Sequence, residues 1–588
     1  MNRSFEHTDP FEGWSVEQGK GTMADVAIET VNPLHPNNPH YFRAVIGSPG
    51  KGLRLVNTGY NGIAISKGET YLFSLYARGG EGFTGPVTVS LEDAQGTVYA
   101  QGIIPSVGPE WKKFSLELVA AETCLAGRLV IHVASAGVLD LDMVSLFPAD
   151  TWNGMRRDLV EMLRGLRPGF IRFPGGCLVE GDSLENAYRW KDTIGPIEAR
   201  RTNRNLWGYH QSYGIGFYEY FVLAEALGAE PVPVVNAGMS CQVRGAEICP
   251  LEAMDQWIQD ALDLIEFANG PATSPWGAVR AALGHPEPFN LKYLGIGNEN
   301  WGNEYYERFQ LFQEAIKESH PQIQLIGCSG TQPDGLWWER AWEWGRTHDV
   351  DIVDEHMYRP PEWFLANTDR YDRYDRTGPK VMVGEFAAHP RNNLEAALAE
   401  AAFMTGLERN SDVVIMAAYA PLFNRADMSQ WVPDLIWFNK TEAYGTPSYY
   451  VQQLFSRNRG DIVLATSLTD EEFRIGIGPY KQTYKVLYHV CSYDYETGDI
   501  ILKVVNPWKT DQQVHIVIEG DVQLTGNGRG YLLTSGSPRD ENSFEASQKV
   551  SPVELPLSNI DNSFQYTFPK WSVIILRIGT HGLSGNES

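Results

Sequence analysis

The 588-residue chain is longer than one ordinary domain and predicts about two to four domains, one of them large enough to be a barrel. Its formal charge is −25, since 48 Lys and Arg stand against 73 Asp and Glu, so we expect no nucleic-acid or anionic-membrane partner. No apolar run of about 18 residues predicts a membrane span. The first residues lack a signal-peptide pattern, which leaves the compartment open, with secretion an alternative if the N-terminus is truncated.

The six cysteines are scattered along the chain. They form no C-x-x-C motif and no cluster with histidine at the spacing typical of zinc sites. We therefore predict buried free thiols, no bound metal and no cofactor.

Residues 1–150 have the pattern of an all-β domain. Short runs of alternating apolar and polar residues are separated by Gly, Pro and Asn, which predicts a β-sandwich or jelly roll. The clearest runs are 71–78, 86–93, 112–118, 127–134 and 139–147.

Residues 151–455 follow a different rhythm, which starts with helical spacing at 155–166. Seven apolar, β-rich runs alternate with helical segments, so we predict a parallel (β/α)8 TIM barrel with one strand missing from the count. The predicted strands are 169–176, 230–238, 291–300, 323–330, 350–358, 380–388 and 412–422, and the clearest helices are 217–228, 254–269, 305–320 and 394–410.

Residues 456–588 return to strand patterns and predict a second β-sandwich at the C-terminus. The predicted strands there are 484–493, 499–507, 514–520 and 571–579.

Two glutamates follow predicted barrel strands directly, at the ends where barrel enzymes carry their active sites. Glu299 ends the fourth strand of a full barrel and Glu385 the seventh. With 73 acidic residues, a single such Glu is more often a surface charge, but a pair at two strand ends is a stronger signal. Two carboxyl groups that face one cavity are the minimum equipment for glycoside hydrolysis, because one protonates the leaving oxygen and the other attacks the anomeric carbon or activates water.

Longer motifs surround both glutamates and cover nearly the whole chain. They are FIRFPGGCLVEG (170–181), RWKDTIGP (189–196), GHPEPF (284–289), GIGNENWG (295–302), DEHMY (354–358), VGEF (383–386), NSDVVIMAAYAPLF (410–423) and YGTPSYYVQ (444–452). Together they resemble the family 51 glycoside hydrolases, the α-L-arabinofuranosidases, in the subgroup with an N-terminal domain like a carbohydrate-binding module.

The resemblance implies roles for the matching residues. Glu299 matches the general acid/base and Glu385 the nucleophile of a retaining mechanism. Asn298 matches the residue that hydrogen-bonds the sugar 2-hydroxyl. Arg172 and Tyr358 match the groups that hold the nucleophile ionised and donate to it. We expect the two carboxyl groups about 5–5.5 Å apart, as in retaining enzymes.

Each of the further candidate site residues has a functional and a structural interpretation. His356 lies two residues before Tyr358 on the same strand face and matches a histidine near the acid/base, although a lone His is more often a core residue. Asn236 ends the third predicted strand, and it is either a sugar contact or a turn residue. The candidate tryptophans, as sugar platforms or core residues, are Trp301 just past the acid/base, Trp207, Trp338 and Trp431.

The resemblance breaks at the start of the chain. In the family, the first barrel strand and its helix precede the segment that residues 2–6 match, and they carry an acidic sugar-binding residue. We therefore expect this chain to lack that strand, and a barrel without it has two open edges. We expect lower stability than in a full-length version, with a lower melting temperature as the measurement.

The predicted function is exo-acting, retaining release of terminal α-L-arabinofuranosyl residues from arabinoxylan, arabinan or their oligosaccharides. The alternatives are β-xylosidase or endoglucanase activity on the same scaffold, or a non-catalytic carbohydrate-binding protein because of the missing strand. The N-terminal domain either binds polysaccharide or only packs. The resemblance also implies a homo-oligomer.

Overall fold

The computed structural model describes residues 1–469, 472–475 and 482–583. Contacts between residues divide the chain into two compact units. The first combines Met1–Val160 with Arg189–Tyr218, and the second combines Glu161–Tyr188 with Glu219–Ser588. Residues 470–471, 476–481 and 584–588 of the predicted C-terminal domain lie outside the described residues.

The described strands, in chain order, are β1 (Trp14–Gln18), β2 (Met23–Glu29), β3 (Tyr41–Ser48), β4 (Leu53–Asn57), β5 (Ile63–Ile65), β6 (Thr70–Gly80), β7 (Val87–Glu92), β8 (Val98–Ile104), β9 (Lys112–Val119), β10 (Cys124–Val133), β11 (Gly137–Pro148), β12 (Thr151–Trp152), β13 (Met155–Arg156), β14 (Phe170–Phe173), β15 (Asn203–Arg204), β16 (His210–Gln211), β17 (Glu230–Val235), β18 (Tyr293–Ile296), β19 (Gln324–Cys328), β20 (Ile352–Arg359), β21 (Lys380–Ala388), β22 (Val414–Tyr419), β23 (Phe423–Arg425), β24 (Ile436–Phe438), β25 (Ala443–Gly445), β26 (Ile462–Leu464), β27 (Glu472–Ile475), β28 (Gln482–Lys485), β29 (Tyr488–Asp494), β30 (Asp499–Asn506), β31 (Gln512–Val517), β32 (Val522–Thr534), β33 (Val553–Ser558), β34 (Ser563–Phe568) and β35 (Ser572–Leu583).

The described α-helices are α1 (Arg157–Leu166), α2 (Phe217–Leu227), α3 (Asp255–Asn269), α4 (Pro275–Ala282), α5 (Asn303–Ser319), α6 (Leu336–Thr347), α7 (Pro361–Ala366), α8 (Leu394–Arg409) and α9 (Pro447–Arg457). The four predicted helical segments of the barrel form α2, α3, α5 and α8, which confirms them. In the part of the chain that the structure describes, no helix is long and apolar enough to cross a membrane.

The first unit contains two antiparallel sheets, ordered β1-β4-β10-β7-β8, with β5 beside β10, and β2-β3-β11-β6-β9. Strand β6 shows why they pack, because every second side chain is buried and the residues between are more exposed. Apolar side chains from both sheets form one core cluster. The buried residues of β6 are Tyr71, Phe73, Leu75, Ala77 and Gly79.

The segment Arg189–Tyr218 groups with this unit, although the sequence placed it within the barrel domain. The Asn38 side-chain amide donates to the backbone carbonyls of Glu198 and Arg200 at 2.9 and 2.8 Å. The Tyr76 hydroxyl also donates to the Glu198 carboxylate at 2.9 Å. Within the first unit, these bonds tie the segment to strands that come much earlier in the chain.

The second unit contains a nearly closed barrel of seven parallel strands, ordered β14-β17-β18-β19-β20-β21-β22. All seven predicted runs contain one of these strands, which confirms them. Strand β17 is buried at every residue after its first, as expected of a parallel sheet covered on both faces. Since neighbouring parallel strands point the same way, their carboxyl ends, and the polar residues there, gather at one end of the barrel.

Strands after residue 460 form a six-stranded antiparallel sheet, ordered β26-β29-β30-β35-β32-β33, with the pairs β31–β34 and β27–β28 beside it. The predicted single strand 484–493 is wrong, because β28 ends at Lys485 and β29 begins at Tyr488. The chain changes partner there: β28 pairs with β27, whereas β29 pairs with β26 and β30. Leu487, between them, is buried in the core of this region.

Candidate active site

The structure brings Glu299 and Glu385 together. Glu299 follows β18 after a tight turn, where its own backbone has φ of 51°, a left-handed conformation that is uncommon for residues other than glycine. Glu385 lies within β21 and is buried. One oxygen of each carboxyl group and a ring nitrogen of His356 all lie within 4.8 Å of one another.

Glu385 accepts hydrogen bonds from donors on two strands of the barrel, β14 and β20. The Arg172 guanidinium of β14 donates to Oε1 at 3.0 Å. The Tyr358 hydroxyl of β20 donates to Oε2 at 2.7 Å. Burial first, and then the charge of Glu385, raise the pKa of Tyr358 well above its usual value, so this hydroxyl keeps its proton and remains a donor. Both predicted partners of Glu385 are therefore in contact with it.

His356 links the two carboxylates. Its Nδ1 lies 3.0 Å from Oε1 of Glu299 and 3.4 Å from Oε2 of Glu385, while its Nε2 lies 3.1 Å from Oδ2 of Asp354. Burial alone would lower the pKa of His356, but the charges of Glu385 and Asp354 outweigh it and raise that pKa well above the ordinary value. A protonated imidazolium donates from both nitrogens, so it can serve both sides at once.

Asp354 belongs to the site and was missed by sequence reasoning. Its Oδ1 accepts the backbone N–H of Gly384 at 2.8 Å, beside the nucleophile position on β21. Its Oδ2 lies 3.7 Å from the Arg172 guanidinium. The period of two along β20 offered a signal, since Asp354, His356 and Tyr358 alternate on one strand.

Glu355, which lies between Asp354 and His356 on β20, binds a different set of partners. Both oxygens of Glu355, which is fully buried, are hydrogen-bonded, and the charge of Arg370 helps to lower its pKa against burial. Trp338 and Trp342 donate to it through their indole N–H groups, so Trp338 binds this buried carboxylate. The other donors to Glu355 are Arg370, Tyr371 and Tyr374.

Asn298 is oriented by a hydrogen bond at each end of its side-chain amide. Its Oδ1 accepts from the Arg172 guanidinium at 2.7 Å, and its Nδ2 donates to Oε2 of Glu180 at 3.2 Å. The other oxygen of Glu180 accepts from the Asn300 amide at 3.0 Å. Burial raises the pKa of Glu180 well above its usual value. Sequence reasoning missed Glu180, whose position in the FPGGCLVEG motif was its only available signal.

Asn236 has the contacts of a turn residue. Its Nδ2 donates to the carbonyls of Val179 and Met239, both at 3.0 Å. Its Oδ1 accepts the backbone N–H groups of Gly238 and Met239 at 2.6 and 3.0 Å. These bonds favour the turn alternative, because both ends of the buried amide bind backbone groups.

Trp301 is positioned through its backbone. The Gln242 side chain accepts from the Trp301 N–H at 2.9 Å and donates to the Trp301 carbonyl at 3.0 Å. Of the other candidate tryptophans, Trp431 packs edge to face on Tyr358, with ring centroids 5.6 Å apart, and is 36% exposed. Trp207 belongs to the first unit.

Two thiols, those of Cys177 and Cys241, lie on the side of the candidate active site that holds Glu299. Cys177 is part of a short 3-10 turn, Gly176–Leu178, and its Sγ lies 3.8 Å from Oε2 of Glu299. A hydrogen bond between Cys177 and Cys241 lowers the pKa of the Cys241 thiol. Cys177 is half-buried and Cys241 is buried.

The arrangement suits double displacement at a sugar carbon. One carboxyl group, that of Glu385, accepts hydrogen bonds from a guanidinium and a hydroxyl, which fix its orientation. The other carboxyl group faces it, with one oxygen of each group within 4.8 Å of the other, and retaining glycosidases are the class that holds its two carboxyl groups close together. Water or a sugar hydroxyl has room to approach Glu299, whose side chain is 17% exposed.

Comparisons with known proteins identify the family of this chain. A family model described as α-L-arabinofuranosidase 1 domain matches residues 162–376, and one described as the α-L-arabinofuranosidase C-terminal domain matches residues 371–572. An extracellular exo-α-L-arabinofuranosidase of Streptomyces chartreusis is 45% identical over 80% of this chain and 58% of its own length. This chain thus spans less than two thirds of that relative.

Two further relatives extend the match. α-L-Arabinofuranosidase 1 of Arabidopsis thaliana is 37% identical over 90% of this chain and 76% of its own length. A solved structure of an arabinose-bound family 51 α-L-arabinofuranosidase superposes with a TM-score of 0.87 at 28% identity, covering 99% of this chain and 94% of that one. The resemblance carried by the sequence motifs is confirmed: the chain belongs to the α-L-arabinofuranosidases of glycoside hydrolase family 51.

Proposed function

We propose that the chain is a retaining exo-α-L-arabinofuranosidase that releases terminal arabinofuranosyl residues from arabinose-containing polysaccharides or oligosaccharides. The observation that carries the proposal is the pair Glu299 and Glu385, whose nearest oxygens lie within 4.8 Å of each other and of His356. The names of the relatives favour this activity over the alternatives, β-xylosidase, endoglucanase or a non-catalytic binding protein.

In the first step, a carboxylate oxygen of Glu385 attacks the anomeric carbon while the bond to the leaving oxygen breaks. Glu299 gives its proton to that oxygen, so the aglycone departs as an alcohol. Arg172 and Tyr358 donate to the two oxygens of Glu385 and hold it in position before the attack. Asn298, fixed by Arg172, has a second amide N–H for the sugar 2-hydroxyl.

In the second step, Glu299 takes a proton from water, and the resulting hydroxide attacks the same carbon. The bond to Glu385 breaks and the carboxylate is restored. Two inversions give net retention. His356 contacts both carboxyl groups, so it balances the negative charge that moves between them.

A product time course tests the mechanism. We expect the full chain to hydrolyse 4-nitrophenyl α-L-arabinofuranoside faster than the β-D-xyloside, with the α-anomer of arabinose as the first product by NMR. An initial β-anomer contradicts retention, and faster xyloside hydrolysis contradicts the substrate class. No activity above the Glu385→Ala background on either compound favours a non-catalytic binding protein.

We propose three domains, 1–150, 151–455 and 456–588, with one β-sandwich before the barrel and one after it along the chain. Support comes from the two antiparallel sheets around one core at the N-terminal end and the antiparallel sheet after residue 460. A role of the N-terminal domain in binding polysaccharide is tested by retardation of the chain in gels that contain arabinoxylan. Unchanged migration favours a packing role.

A further inference from the structure

Two cysteines and a glutamate that are distant in sequence converge beside the acid/base carboxyl group. Sγ of Cys177, Sγ of Cys241 and a carboxylate oxygen of Glu180 all lie within 4.8 Å of one another. We propose that this thiol cluster (Cys177, Cys241 and Glu180) binds a thiophilic divalent cation of the zinc class. The fourth ligand is the carboxylate of Glu299, whose Oε2 lies 3.8 Å from the Cys177 sulfur.

The ligand set has the chemistry that such cations prefer. Thiolate sulfur and carboxylate oxygen together bind zinc and cadmium, in tetrahedral sites. Zinc with bonds of about 2.3 Å to sulfur and about 2.0 Å to oxygen places its ligand atoms roughly 3.5–3.8 Å apart. The separation of the Cys177 sulfur from Oε2 of Glu299, 3.8 Å, is close to this size. The ligand atoms of Cys177, Cys241 and Glu180, which lie within 4.8 Å of one another, need to approach by at most about 1.3 Å.

The backbone brings the two thiols together without the metal. The Asn236 amide ties the carbonyl of Val179 to that of Met239, at 3.0 Å each. The Cys241 N–H donates to the Gly181 carbonyl at 2.9 Å. Two segments far apart in the chain are thus joined on either side of the cluster, so little ordering remains for a bound cation to impose.

The neighbouring contacts are compatible with a bound cation. Glu180 accepts from Asn298 and Asn300, one bond at each oxygen, and each carboxylate oxygen has a further lone pair. The Arg244 guanidinium lies 3.9 Å from the Cys241 sulfur and favours its ionised form, which is the form that binds metal. Cys177 is half-buried and Glu299 partly exposed, so a cation can enter from their side of the cluster.

A cation at this position acts as an inhibitor of the proposed hydrolysis. Coordination through Oε2 removes the acid/base proton from Glu299 and blocks its delivery to the leaving oxygen. This consequence rests on the proposed function, whereas cation binding does not. Binding and activity are therefore measured separately.

Cadmium is the probe, because its bonds to thiolate absorb in the near ultraviolet. The full chain, with its thiols reduced, is titrated with Cd²⁺ while absorption and hydrolysis of 4-nitrophenyl α-L-arabinofuranoside are followed. We expect one Cd²⁺ per chain with thiolate absorption, loss of activity over the same range, and recovery of both signals with EDTA. No thiolate absorption overturns the proposal, and absorption in a chain without any hydrolytic activity overturns only the proposed function.

Cys241→Ser separates the cluster from other cation sites. We expect it to lose the absorption and to need at least about tenfold more Cd²⁺ for inhibition. Cys124→Ser, at a half-buried thiol of the first unit, is the matched control and keeps both responses. Unchanged inhibition in Cys241→Ser overturns the proposal and places the cation at Glu299, His356 and Glu385 instead. If Cys241→Ser does not fold, Cys177→Ser is judged by the absorption alone, which must also disappear.

Discussion

The two glutamates of the site, one after β18 and one in β21, lie on different strands of the barrel and differ in their surroundings. Glu385 receives a guanidinium at 3.0 Å and a tyrosine hydroxyl at 2.7 Å, and its side chain is 9% exposed. Glu299 contacts the His356 ring at 3.0 Å and the Cys177 thiol at 3.8 Å, and its side chain is 17% exposed. The two environments therefore support the two different tasks proposed for these glutamates.

The difference teaches how environment assigns roles. Fixed donors keep a nucleophile charged and aimed, which is the requirement at Glu385. An acid/base must exchange its proton with the leaving oxygen and then with water, so it needs fewer fixed partners and some access. His356 lies between the two and contacts both.

The largest effect is expected when Glu385, the first of the two compared glutamates, is removed. Glu385→Ala removes the attacking oxygen and lowers kcat for 4-nitrophenyl α-L-arabinofuranoside by at least about 10⁴-fold. Added azide rescues it with an inverted glycosyl azide, because azide attacks from the vacated side. A glycosyl azide with retained configuration contradicts the assignment of Glu385 as the nucleophile.

Glu299→Ala removes the second of the compared glutamates, and a smaller effect is expected. Loss of the general acid lowers kcat on arabino-oligosaccharides by about 10²–10⁴-fold. The loss on the 4-nitrophenyl substrate is smaller, because nitrophenolate leaves without protonation, and azide restores activity with retained configuration. Glu304→Ala, an exposed glutamate of α5, is the control and keeps full activity. Equal losses on both substrates contradict the acid role.

Tyr358→Phe tests the surroundings of Glu385 separately from those of Glu299, because it removes one hydrogen-bond donor from Glu385 alone. A hydrogen bond to a charged group contributes about 1.5–3 kcal/mol, so kcat falls about 10–100-fold with KM nearly unchanged. Tyr374→Phe is the matched control, because that hydroxyl donates at 2.9 Å to the structural carboxylate Glu355. A change in kcat that is no larger than in Tyr374→Phe shows that the Tyr358 hydroxyl does not act on the nucleophile.

The smallest expected effect concerns a third carboxyl group near β21. Glu400 of α8 accepts the backbone N–H of Ala388 at 2.9 Å, and burial raises its pKa from 4.5 to about 8. Because the folded chain binds this proton more tightly than the unfolded chain, the neutral group contributes stability below pH 4.5, which is lost as the pH rises through about 8.

Glu400→Gln keeps the acceptor and removes this titration. We expect its melting temperature to fall less than that of the unchanged chain between pH 5 and about pH 9. Glu395→Gln, exposed on the same helix, is the control and follows the unchanged chain. Parallel pH curves for Glu400→Gln and Glu395→Gln contradict the raised pKa.

Sequence reasoning reached the barrel and its two glutamates because these depend on local patterns. Each of the seven barrel strands is a short apolar run, and two of them lead directly to Glu299 and Glu385. It failed where the chain changes partner within one apolar stretch, at residues 484–493, because periodicity does not reveal which strand a segment pairs with.

The sequence alone therefore determined the family, the barrel strands and the positions of the proposed catalytic pair, since burial and strand period depend on the local order of residues. Tertiary structure decided which side chains meet. Asp354 and Glu180 joined the site, and Asn236 took a turn role, through contacts between distant segments. Cys177 and Cys241 became a pair for the same reason. Such contacts depend on the spatial order of strands and loops, which spacing along the chain does not specify.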